Sequence, residues 1–298
     1  MKRWLKKNLL TVLLILVFLV GLGVLGYPTI SDYWNSFHQS RAIMSYVESV
    51  ANMDPAEYER ILNSAKAYNA QIAQNGIHWK LSDAEKEAYN QELNFNNDGN
   101  MGYITIEKIN IQLPIYHGTS ESVLQTSIGH LEGSSLPVGG EEGSHCVLSG
   151  HRGLPSAKLF SDLDKMTEGD TFTLNVLDET FCYQVDQIRV VEPADMSTLQ
   201  VERGKDYCTL VTCTPYGINT HRLLVRGHRV ANPQGDARVA ADAVLIELIY
   251  VGPFVGVPML LLLLIILLFH TRGRKARAKK QKKETETEES KKRTKTKK

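Results

Sequence analysis

Cysteine is scarce in this chain. The four present in 298 residues, Cys146, Cys182, Cys208 and Cys213, form no C-x-x-C pair and no framework spacing, so a disulfide-stapled scaffold is excluded. No H-E-x-x-H occurs, and the close ligand spacings of structural zinc sites are missing. The glycines of Gly139-Gly140-Glu141-Glu142-Gly143 lack phosphate-loop spacing, which leaves a flexible surface loop. No internal repeat is evident, no nucleic-acid partner is expected, and the formal net charge is only +1. No cofactor and no metal are expected.

What is present is unevenly spread. Residues 1–7 hold four Lys/Arg, and residues 271–298 hold fourteen Lys/Arg with four Glu. The stretch between them keeps 16 basic and 29 acidic residues, a net −13. Leu9 to Gly26 has one polar member, Thr11, and Leu248 to Phe269 has no charge. A bilayer core takes about 20 apolar residues in helix, so both runs are long enough to span. No A-x-A-like site follows the first run, which favours an uncleaved anchor over a signal peptide. Basic flanks stay in the cytoplasm. The expected topology therefore has a basic cytoplasmic end (1–8), a span (9–27), an extracellular part, a second span (244–270) and a basic, disordered cytoplasmic tail (271–298). Membrane lipid is an expected partner, and the tail would attract anionic headgroups.

Two regions are expected outside. Residues 28–98 read as helical. Asp54-Pro55-Ala56-Glu57 supplies an N-cap, a Pro at the first helical position and a Glu at the third, and Gly76 ends that helix. Ser82-Asp83-Ala84-Glu85 opens a second, shorter one. From Met101 the period becomes two, and residues 99–235 read as a catalytic β-domain. Strands are expected at 103–106, 113–116, 171–177, 181–191, 207–213 and 221–230, with a hairpin turn at Asp178-Glu179. His145 to His151 adds another strand. Many short strands at close spacing argue for a closed all-β barrel.

The chemistry gathers at strand ends. Thr209-Leu210-Val211-Thr212-Cys213 is a strand that ends in a thiol, and Arg222 follows nine residues on. An antiparallel return after a loop at 214–221 sets Arg222 beside Cys213, and a thiol next to a fixed cation favours the reactive thiolate. Ser149-Gly150-His151 ends a second strand in an imidazole able to donate and accept a proton near neutral pH. Cys146, Cys182 and Cys208 lie inside apolar runs and read as structural. Cys208 and Cys213, five apart, point to opposite faces. His145 shares the His151 face but stands about 20 Å away along an extended strand, which makes it the weaker candidate. His221 and His228 read as structural or exposed, and Arg226 and Arg229 as surface cations. The rival reading gathers His145, His151, Cys213 and His221 around zinc.

These residues resemble the sortase family. Thr209-Leu210-Val211-Thr212-Cys213 is similar to the T-L-x-T-C signature, Ser149-Gly150-His151-Arg152 to the catalytic histidine segment, and Arg222 falls where the family has its arginine. The resemblance spans roughly Gly102 to Val230 and implies an eight-stranded β-barrel. The helical segment and second span resemble class C, the pilus-assembling sortases of Gram-positive bacteria. That implies a membrane-anchored transpeptidase that cuts an LPXTG-like sorting signal between Thr and Gly. Cys213 would carry the thioester, His151 would be the general acid and base, and Arg222 would steady the oxyanion. The acceptor would be a Lys amine of a pilin subunit. Ser149 and Thr212 are candidate substrate contacts. Many class C enzymes carry an Asp-Pro-aromatic lid, whereas the only Asp-Pro here, Asp54-Pro55, precedes Ala56 and a helix. His78-Trp79 is either a substitute plug or a packing anchor for the helical segment.

Two other functions fit the same chain. One is a wall-anchoring sortase that uses a cell-wall peptide amine as acceptor. The other is a membrane-tethered binding module without chemistry, for which Cys213, His151 and Arg222 need not converge.

Overall fold

The computed structural model describes residues 9–232. The expected basic end (1–8), second span (244–270) and tail (271–298) lie outside the described residues.

Among the described residues, three helices precede a closed barrel. The first, α1 (Leu9–Ala51), runs without interruption through Pro28, where the sequence suggested a boundary between span and outer segment. The second, α2 (Pro55–Asn75), starts as expected, with the Asp54 carboxylate accepting the Ala56 N–H at 2.9 Å and Pro55 in the first turn. Gly76 closes it at φ 80°, where a side chain would be strained. Its buried face, Ile61, Leu62, Ala65, Asn69 and Ile72, follows helical spacing. Asn69 fixes α2 to the following loop, with its amide donating to the Leu136 and Gly139 carbonyls and its oxygen accepting from Leu136 N–H. The third, α3 (Asp83–Gln91), opens on a Ser82–Glu85 capping box. Its Tyr89 is fully buried, with the hydroxyl 2.9 Å from His130 Nδ1.

Eight strands follow: β1 (Asn100–Ile106), β2 (Ile111–His117), β3 (Ile128–His130), β4 (Ser144–Ser149), β5 (Thr171–Val176), β6 (Glu179–Val191), β7 (Asp206–Thr214) and β8 (His221–Val230). One turn of helix, α4 (Glu121–Leu124), lies before β3. The barrel closes in the order β1-β2-β3-β4-β7-β8-β6-β5, so that each of these strands has a neighbour on both sides. The β5–β6 turn falls on Leu177-Asp178, one residue earlier than the sequence suggested. Leu177 adopts φ 55° there, and its N–H donates to the Tyr46 hydroxyl at 2.7 Å.

Alternation along the strands sorts side chains into two sets. Leu148, Leu210, Leu223 and Val225 point into the core, together with Cys146 and Cys208. Val147, Val211 and Leu224 point outward and are covered by Leu199, Met196 and Trp79. This outer face of β4, β7 and β8 carries the candidate site.

Candidate active site on the outer face of strands β4, β7 and β8

The thiol and the guanidinium are brought together by register. In the antiparallel β7–β8 pair, Cys213 is the direct partner of Arg222, with Thr214 opposite His221. Cys213 is a free, half-buried cysteine, and its outward neighbour two residues back, Val211, pairs with Leu224. The Arg222 guanidinium donates to the His221 carbonyl at 3.2 Å and to the Asn219 carbonyl at 3.4 Å, so the β7–β8 loop holds its position.

The imidazole arrives from β4, which runs parallel to β7 with Ser149 beside Val211. The pairing continues one step past the strand, where Gly150 N–H donates to the Val211 carbonyl at 3.0 Å. The Thr212 hydroxyl then donates to the Gly150 carbonyl at 2.7 Å. The next residue on each chain is His151 on one and Cys213 on the other, which sets them at the same end of adjacent strands. Cys213, His151 and Arg222 therefore lie at three neighbouring strand ends. The two enzyme readings required such convergence; the binding-module reading did not.

The small residue before His151 serves packing. A side chain on Gly150 would meet Phe160 at 2.7 Å and Ile128 at 2.6 Å, so this glycine lets the barrel wall close against Phe160 instead of leaving room for substrate. The Phe160 N–H then donates to the His151 carbonyl at 3.1 Å. Thr212, read as a substrate contact, is buried and has its hydroxyl committed to Gly150, so its tie to the site runs through the His151 segment. Ser149 is half-buried on the outer face.

Several side chains differ from their sequence reading. His145 is fully buried, with Nδ1 2.9 Å from the Gln200 carbonyl and Nε2 2.7 Å from the Thr209 hydroxyl. Burial pulls its pKa down to about 4, and it serves as a neutral bridge between β4, β7 and the segment before Gln200. Arg226 is more than a surface cation. It forms a bidentate pair with Asp186 at 3.0 and 3.1 Å and lies 4.1 Å over the Tyr207 ring. Arg229 similarly lies 4.5 Å over Phe181. The four zinc candidates do not gather, and among the described residues no three His, Cys, Asp or Glu are grouped as metal ligands.

One contributor went unassigned in the sequence. Arg152, next to His151, has a buried side chain that ion-pairs with Asp164, donates to the Thr214 hydroxyl at 3.2 Å and lies 5.7 Å from the Tyr216 ring. It clasps the loop after β4 to the loop after β7, the two segments that carry His151 and Cys213. The adjacent Arg in Ser149-Gly150-His151-Arg152 was its only signal.

Trp79 packs into the outer cluster of Val147, Leu199 and Leu224, beside Val211. It anchors the helical segment on the strand face that leads to Cys213, while His78 is exposed and its carbonyl presses against Gly133.

The sortase domain family model matches residues 104–230. Among solved structures, sortase C1 from Streptococcus agalactiae is 62% identical, with a TM-score of 0.63, over 64% of this chain and 99% of that one. The chain belongs to the sortase family. The sortase C of Streptococcus pneumoniae is 47% identical, with a TM-score of 0.57, over 64% of this chain and 97% of that one. Sortase D of Bacillus subtilis is 31% identical over 132 residues, and there this chain spans 63% of the relative's length. As a sortase the protein is a cysteine transpeptidase, and its likeness is to class C structures. The eight-stranded barrel that the resemblance implied is the barrel observed.

Proposed function

We propose that this sortase polymerises pilin subunits outside the membrane to which α1 anchors it. The Cys213 thiolate attacks the Thr carbonyl carbon of an LPXTG-like signal, and negative charge develops on the carbonyl oxygen beside Arg222. His151 gives a proton to the departing Gly amine, leaving the acyl group on sulfur as a thioester. A Lys ε-amine of a second pilin subunit loses a proton to His151 and attacks that thioester. An isopeptide bond forms and the Cys213 sulfur is released.

The observation that carries this reading is the convergence of Cys213, His151 and Arg222 at one end of three adjacent strands. The choice of a pilin acceptor is supported by the likeness to sortase C structures; the similar S. pneumoniae enzyme is described for its pilin substrate specificity. Anchoring is supported by the apolar first half of α1.

The test is an acceptor competition with the full chain. A sorting-signal peptide is supplied with either a pilin or a cell-wall peptide mimic. Ladders with pilin, and a mass shift on Cys213 from the trapped acyl group, are expected. Transfer to the wall mimic alone would remove the pilin reading and keep the enzyme, and the acyl group found on any other residue would remove the nucleophile assignment.

A further inference from the structure

The barrel's exposed apolar residues are not scattered. Within residues 100–232, the large hydrophobic side chains that stay exposed are Val190, Tyr216 and Ile218. All three lie at one end. Tyr216 and Ile218 are in the loop that follows Cys213, and Val190 pairs with Leu223 next to Arg222. This is the end that carries the candidate active site.

The anchor helix arrives at the same end. After Ile30, α1 binds the barrel along one face. Asp32 accepts the Lys158 N–H at 2.7 Å, Asn35 donates to the Ser156 carbonyl at 2.8 Å, and Gln39 donates to the Thr126 carbonyl at 2.5 Å. Ile43 and Tyr46 continue the face, and the Tyr46 hydroxyl reaches Met101 and Leu177. Ser156 and Lys158 belong to the loop that begins at His151, whereas Leu177 is at the β5–β6 turn, remote from β7–β8 loop residues along β6. The helix therefore climbs the barrel starting from the catalytic end.

Helix geometry sets the height. Leu9 to Gly26 rises about 27 Å, close to the roughly 30 Å hydrocarbon core of a bilayer. Asp32 then stands about 3 Å, and Gln39 about 14 Å, beyond Ile30. Opposite the docked face, Tyr27, Ile30, Trp34 and Phe37 recur at three- and four-residue spacing and are all exposed. Pro28 has no N–H to offer the Val24 carbonyl, which gives the helix a bending point at this level. Aromatic side chains just beyond an apolar span are the composition of a membrane-interface belt.

We propose that this is a membrane-docking surface: Tyr27, Ile30, Trp34 and Phe37 lie at the headgroup layer of the bilayer that α1 crosses, and the barrel end bearing Val190, Tyr216 and Ile218 faces that layer. This rests on α1 being the anchor, and its catalytic consequence rests on the active-site reading above. Cys213 is then held at a short, fixed height and serves a peptide tethered to the same bilayer. The apolar face is continuous with the span, which is what assigns it to lipid and not to a second copy.

Two measurements on the full chain in vesicles of phosphatidylcholine and phosphatidylglycerol test it. In a background of Trp4→Phe, Trp34→Phe and Trp79→Phe, the Ile218→Trp variant reports the barrel end. Lipids brominated near the headgroup should quench it about twofold; emission equal in brominated and ordinary vesicles would overturn the proposal. So would disulfide trapping of two copies through Trp34→Cys. Next, seven helical residues inserted between Ile30 and Ser31 lift the barrel about 10 Å while keeping its face. Transfer from a sorting peptide on a short lipid linker should fall about tenfold and return with a longer linker, and a soluble peptide should react as before. Equal changes on both peptides, or none on either, would overturn the fixed height. A parent chain inert toward the soluble peptide would instead count against the enzyme reading, while the quenching result would stand by itself.

Discussion

Cys208 and Cys213 share strand β7, yet their surroundings are opposite. Cys208 points into the core, is fully buried and lies beside Cys146 on the parallel strand β4. Burial pushes its thiol well above the ordinary range. Cys213, five residues on, points outward at the strand end, half-buried, with Arg222 as its cross-strand partner. The five-residue offset reverses the face, and the strand end supplies the opening. Face and position along one strand, more than the thiol itself, divide a packing residue from a nucleophile candidate.

The strongest way to break that contrast is to remove each sulfur in turn. Cys213→Ala should lower transpeptidation at least about 1,000-fold with the thermal midpoint shifted by no more than about 2 °C. Cys208→Ala should keep kcat within about twofold and cost about 1–2 kcal/mol in urea titrations, from the cavity it leaves. The reverse pattern would refute the division. The arginines sharpen it next. Arg222→Ala should reduce kcat/KM about 100-fold, with Arg222→Lys recovering part of the loss. Arg226→Ala, which frees Asp186 and the Tyr207 ring, should show its effect in stability at about 1–3 kcal/mol.

The histidines give a test in pH. His145 has a folded pKa depressed to about 4 by burial, below its ordinary 6.5. Its stabilising contribution is therefore complete above pH 6.5 and is lost as pH falls toward 4, because the unfolded chain takes up the proton first. The loss is roughly 3 kcal/mol, and half-buried His117, also depressed, adds to it in the same direction. Chemical denaturation across that range should show the decline, and His145→Gln should flatten it; an unchanged slope in the variant would sink the assignment. Smallest is Thr212. Thr212→Val strands the buried Gly150 carbonyl and should cost about 1 kcal/mol, with a fall in kcat that Thr212→Ser restores.

Legibility in the sequence followed the range of the interactions. The thiol–guanidinium pairing could be read because one hairpin contains both, and hairpin register is set locally. The capped helices α2 and α3 were legible for the same reason: Asp54, Ser82 and Glu85 act within one turn. The strand β3, Ile128-Gly129-His130, is too short to show a period. The turn at Leu177 could not be placed because its positive φ is held by Tyr46, 131 positions away. His145 read as a possible functional group because nothing local reveals that the Gln200 carbonyl and Thr209 hydroxyl occupy both ring nitrogens. The need for glycine at position 150 is likewise set by Phe160, which reaches it from the next loop.

The parallel seam between β4 and β7 has a consequence in time. Its partners are separated by 62 positions, and two strands are synthesised between them. Such distant pairings form late, after the cost of closing the intervening chain has been met. While the polypeptide is still being made, the imidazole and the thiol belong to unpaired segments. His151 and Cys213 therefore meet only when the last two strands lock into place.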